Sequence, residues 1–223
     1  MSSNATNLAE NQGFPEMLAS LVRADGSAEH GFVASHDLKN GKFATRNLAD
    51  VVHHLCTLHG RHPGVIDLAA AHTAHNAARQ WLLKAVDGFV VERGFLSRLV
   101  VTAGPLPSTP GQAESESAVN GQRHALDMLA RSDREGCALG AALSLVIDWP
   151  VMRDVLNHAA KRWGVDAPEC TLPTVEETLT VARGVATSPA IERAISFGSQ
   201  QILAQHRGLW DLLEARALAR GEY

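Results

Sequence analysis

No stretch of this 223-residue chain alternates polar and apolar residues at strand period, and the aromatics that favour strands are scarce. Tyr occurs once, and Phe, Trp and Tyr together make up 5%. Both absences argue against a sheet and leave helices as the building element. Lys and Arg form no run, and the formal net charge is −4. A nucleic-acid-binding face normally leaves a basic patch or stripe, so no nucleic-acid partner is expected. The longest strongly apolar run, CALGAALSLVI (137–147), is about half the length needed to cross a bilayer, so no membrane span is expected. The first residues, MSSNATNLAENQG, have neither the basic start nor the apolar core of a signal peptide. Cys56, Cys137 and Cys170 are an odd, widely spaced set with no Cys-x-x-Cys pair, which excludes a disulfide framework and a zinc knuckle. Together these absences give the expectation of a cytoplasmic protein with reduced thiols.

What is present is period-3.6 apolar patterning with helix punctuation. The pattern predicts helices near 15–24, 28–35 and 48–59, with HDLKNGKFATR (36–46) as a loop between the last two. Another begins at Pro63, and it either runs to about 101 or breaks near Asn76. After the proline-rich loop AGPLPSTPGQ (103–112), helices are expected at 112–131, 133–147, 150–163, 174–186 and 189–219. Asp148-Trp149-Pro150 marks a kink or restart, and Ser188-Pro189 gives a cap followed by a first-turn proline. The expected fold is all-α: one multi-helix bundle of about eight helices over 13–223, preceded by a disordered tail, 1–12. The run 137–147 is apolar all round, which fits a helix buried on every side at the centre. Gly136, Gly140 and Ser144 form a small-residue row on it, suited to close approach of a neighbouring helix.

Six of the eleven histidines fall between His53 and His75. Counting at 100° per residue sorts them by face. His59 falls beside Val52 and Leu55 on a buried face, whereas His53 and His54 point elsewhere, to solvent or a flank. If the helix from Pro63 is unbroken, His72, His75 and Arg79 align with Leu82, Leu83, Val86 and Val90. His206 lies on the stripe of Ile195, Ile202, Leu209 and Leu213. The candidate metal set is therefore His59, His72, His75 and His206, holding a single transition metal, since imidazole is the commonest metal ligand. A di-iron centre of the ferritin type is excluded, because no Glu-x-x-His occurs. Core histidines bonded to backbone or carboxylate are the commoner outcome and mimic such sites. A second candidate is an anion site at the turn GRHPG, built from Arg61, His62 and Arg79 around a helix N-terminus. An ordinary tight turn competes with it. No Gly-x-Ser-x-Gly elbow or phosphate-binding glycine motif is present.

The stretches NLADVVHHLCTLHGRHPGVID (47–67) and AGPLPSTPGQAESESAVNGQRHALDMLARSDREGCALGAA (103–142) resemble an uncharacterised family of sphingomonad-type alphaproteobacteria, a domain of unknown function. That resemblance implies a bacterial cytoplasmic protein and carries over no catalytic residue. The expected function is binding of a small-molecule ligand or a metal in a histidine-lined pocket between helices. The alternatives are a metal- or haem-dependent oxygenase-type enzyme and a non-catalytic homodimer held by glycine-rich faces.

Overall fold

The structure, a computed structural model, describes residues 3–106 and 111–221, with side chains from residue 13 onward. Among those residues the regular elements are all helical, ten helices with no strand. They are α1 (Ser3–Asp25), α2 (Gly31–Ala34), α3 (His36–Lys39), α4 (Ala44–His59), α5 (Val65–His72), α6 (Asn76–Ala103), α7 (Gln112–Ala130), α8 (Cys137–Trp163), α9 (Val175–Val185) and α10 (Pro189–Ala219). A single 3₁₀ turn, Ser27–Glu29, joins α1 to α2. The all-α bundle expected from periodicity is the fold. The tail expected at 1–12 falls where side chains lie outside the described residues. No helix among the described residues is long and apolar enough to cross a membrane.

The apolar run 137–147 forms the first half of α8, and every residue from Cys137 to Val146 is buried. This is the central helix: α1, α4, α5, α6, α7, α9 and α10 all pack on it. The restart allowed for at Asp148-Trp149-Pro150 does not occur, and α8 continues through Pro150 to Trp163. An interior proline costs a helix about 3 kcal/mol. Tertiary bonds on the two preceding residues offset it. Asp148 accepts from Ser27 and pairs with His206, and the Trp149 indole donates to Glu92 over 2.8 Å.

The small-residue row works inside the chain. A Cβ on Gly140 would stand 2.1 Å from the Ile195 carbonyl oxygen, and one on Gly198 would stand 2.0 Å from that of Cys137. Backbones of α8 and α10 thus cross in near contact, and the Ser199 hydroxyl donates to the Gly140 carbonyl over 3.1 Å. Gly136, Gly140 and Gly198 are thus spent on this internal crossing.

The helix from Pro63 does break. Its first part starts at Val65 and ends at His72, Thr73 and His75 adopt extended backbone, and α6 starts at Asn76. The register through 72–79 is therefore lost. Leu83 and Val90 emerge 53% and 56% exposed, while Leu82, Phe89 and Arg93 are buried. At the other end of the chain Ser188 caps α10 as its sequence implies, accepting from the Ile191 N–H over 3.3 Å ahead of a first-turn proline.

Candidate functional site

Of the four candidate metal ligands, the fold brings two together. His59 ends α4 on its buried face, and His206 sits mid-way along the apolar stripe of α10. Their Nε2 atoms approach to 3.1 Å, and both side chains are buried. On its far side the His206 Nδ1 meets Asp148 Oδ2 at 2.8 Å, and that carboxylate accepts the Ser27 N–H at 2.8 Å and the Ser27 hydroxyl at 2.7 Å. Four elements are thereby tied by one buried polar chain, Ser27–Asp148–His206–His59. Burial alone would raise the Asp148 carboxyl, but the bond and charge of His206 with the two Ser27 bonds outweigh it and hold it below the ordinary carboxylate range. An ionised Asp148 makes His206 Nδ1 the donor, and the Nε2–Nε2 contact then holds one proton between the rings. Burial, then the charge of His206, keeps His59 well below the ordinary imidazole range.

This chain has the carboxylate–imidazole order of a catalytic relay, with a second imidazole where a nucleophile would stand. Phe89 and Trp149 pack edge-on against His59, with ring centroids 6.3 and 5.8 Å away. Neither His59 nor His206 lines any of the main clefts. Among the described residues no group of three or more His, Cys, Asp or Glu side chains is placed to hold a metal ion. The four candidate histidines do not gather into one cluster among the described residues: His72 and His75 flank the break at 73–75, while His59 bonds His206 and His206 bonds Asp148.

Such a core has a pH signature. Below about pH 6.5, unfolded His59 takes up a proton that the folded form refuses, and buried His54, also held low by burial, acts the same way. The unfolded state then binds more protons, so stability falls as pH drops, by up to about 1.4 kcal/mol per pH unit for each such histidine. Asp148 adds its loss only further down, as pH falls from the ordinary carboxylate range toward its depressed folded pKa. Urea midpoints measured from neutral pH down to the carboxylate range are expected to decline from the imidazole range onward. His59→Gln is expected to flatten the upper part of that decline.

The anion site expected at GRHPG is filled by the protein itself. Asp67 accepts from the Gly64 N–H over 2.7 Å and takes a two-pronged bond from Arg93 at 2.8 and 3.2 Å. His62 lies 3.4 Å from the same carboxylate, and Arg61 is exposed. The Gly64 N–H ahead of α5 therefore faces a resident carboxylate. Arg79, exposed, lines a separate cleft that shares Thr73, Ala74 and His75 with its neighbour.

That neighbour is the cleft the break creates. About 280 Å³ in volume, it lies between the α5–α6 break, the loop 132–136 and the start of α8. His72 and His75 line one side, and Leu139, Val185 and Ile191 supply apolar wall. The His75 Nδ1 is buried without a partner among the described residues. Here the N-terminus of α8 stands open. Its cap, Gly136, holds φ at +93°, provides no side chain, and no acidic residue follows in the first turn. Cys137 N–H reaches the Arg134 carbonyl at 3.0 Å and Gly140 N–H the Gly136 carbonyl at 2.8 Å, but no acceptor among the described residues meets the N–H of Ala138 or Leu139. Exposed Asp133, Arg134 and Glu135 form the rim.

Sequence reasoning missed Asp148, His54 and the open α8 terminus. An aspartate directly after a fully apolar run was a usable signal, since a charge in that context needs a buried partner. The open terminus had none, because it depends on which residues fail to cap.

The sequence model of a family described as a family of unknown function, DUF6975, matches residues 22–221. The chain belongs to that family. No curated protein and no solved structure matches it.

Proposed function

For this member of a family whose function is unknown, we propose binding of a small amphoteric ligand, of the amino-acid type, in the cleft under the α5–α6 break. The observation that carries this reading is the start of α8, uncapped and opening on a histidine-lined cleft. Unpaired N–H groups and the helix dipole together make such a terminus a site for carboxylate or phosphate. Asp133 and Glu135 on the rim oppose a bare anion but suit an amine on the same ligand. Leu139, Val185 and Ile191 offer the apolar surface that a side chain would cover. The volume fits a small molecule.

The oxygenase reading draws less support, since neither His59 nor His206 lines any of the main clefts. Isothermal titration of the full chain with an amino-acid panel, matched plain carboxylates and matched alkylamines tests the proposal. Amino acids are expected to bind more tightly than either comparator. His75→Ala, which removes no hydrogen bond from the fold, is expected to weaken them by about fivefold, the worth of one hydrogen bond. Asp133→Asn with Glu135→Gln is expected to abolish the preference for an amino acid over a plain carboxylate. Absence of saturable binding across the panel, or binding indifferent to His75→Ala, overturns the reading.

A further inference from the structure

A second cavity, about 270 Å³, lies between α4 and α7 and shares no residue with the first. His53, His54 and Thr57 line it from α4, Glu116 and Asn120 from α7. His54, expected to face solvent or a flank, is buried, with the residue 3% exposed. Its Nδ1 bonds the Asp50 carbonyl over 2.7 Å, which makes that nitrogen the donor, and its Nε2 is buried with no partner among the described residues. A buried polar atom left unmatched beside a cavity calls for an explanation. Burial holds this imidazole below its ordinary range, so the free nitrogen carries a lone pair at neutral pH.

The other groups around the cavity have spent their donors as well. Thr57 gives its hydroxyl proton to the His53 carbonyl over 3.0 Å, leaving its oxygen lone pairs. His53 Nε2 is bound to the Gly104 carbonyl over 2.7 Å. Glu116 receives the Gln112 amide on Oε1 at 2.8 Å and keeps Oε2. Asp50, behind His54, is already paired with Arg216 and Arg220, so Glu116 is the carboxylate left for a ligand. The lining is rich in acceptors, with the Asn120 amide as the donor among these side chains. No three of its ligating groups are placed to grip a metal ion.

We propose that this cavity is a binding site for a small primary ammonium, whose N–H donors would meet His54 Nε2, Thr57 Oγ1 and the Glu116 carboxylate. Ammonium supplies three donors and a positive charge, which complements that set, while an anion would meet the Glu116 charge and a plain alcohol would bring one donor. The test is titration of the full chain at neutral pH with n-propylammonium, propionate and 1-propanol, followed by calorimetry and by the His54 imidazole ¹⁵N resonances. Propylammonium is expected to saturate and to move the His54 Nε2 resonance. Glu116→Gln, a change at an exposed residue, is expected to weaken it by about tenfold. His75→Ala is expected to leave it unchanged, which separates this site from the cleft under the α5–α6 break. Equal binding of propionate or propanol, no saturation by propylammonium, or a Glu116→Gln protein that binds like the parent overturns the proposal. Loss of propylammonium binding in His75→Ala alone assigns the ammonium to the other cleft and overturns it too.

Discussion

Replacing Asp148 with alanine is expected to lower stability by about 3–5 kcal/mol, the cost of removing one partner from a buried charged pair. The carboxylate takes three hydrogen bonds, two from Ser27 and one from His206. Its loss strands the Ser27 N–H and hydroxyl and the His206 Nδ1–H in the buried core. The damage spreads because His206 in turn positions His59. Asp148→Asn keeps the volume and one acceptor but turns an amide N–H toward a donor, so an intermediate loss is expected. Urea unfolding followed by circular dichroism measures both. A loss below about 1 kcal/mol for the alanine variant, the net worth of an ordinary hydrogen bond, contradicts the structural role given to this chain.

Gly140→Ala carries the second-largest expected effect, about 3 kcal/mol, at the upper end for overpacking a well-filled core. The added methyl would stand 2.1 Å from the Ile195 carbonyl oxygen, and the obstacle is backbone, so no rotamer change relieves it. The α8–α10 crossing must open, and Ser199 then loses its bond to the Gly140 carbonyl. Gly94→Ala in α6 is the matched control. A Cβ there meets nothing within 4 Å, and the substitution is expected to stabilise by up to about 1 kcal/mol through helix propensity. Thermal unfolding of the two variants should move in opposite directions. Equal behaviour would mean that close approach is not what glycine provides at position 140.

These two glycines show where the sequence is legible and where it is not. Gly136, Gly140 and Ser144 repeat at a spacing that marks one helix face, so the row of small residues could be read directly. Gly94 sits on no such row, yet propensity alone penalises it as much as Gly140. The partner decides, and the partner is some 55 residues away in sequence. The histidines divide the same way. His59 and His206 lie on stripes long enough to fix their direction, and counting turned both toward the core, where they meet. His72 and His75 depended on a register that Thr73–His75 interrupts, and no local signal weighs that break against continuation. His54 falls off the face that Val52 and Leu55 define on α4, so counting points it to solvent or a flank. The packing of α7 against the face of His54, which buries it, is a long-range event. Pro150 is the opposite case: α8 continues through this local helix breaker, beside buried bonds at Asp148 and Trp149.

The most direct test of the ligand-binding reading is an amide and imidazole NMR titration of the ¹⁵N-labelled chain with the amino-acid panel. Ala138 and Leu139 N–H and the His75 ring are expected to shift together and saturably, while the buried rings of His59 and His206 stay in place. Shifts confined to other residues, or Ala138 and Leu139 amides that do not move with any ligand, would contradict an open α8 terminus that works as a binding site.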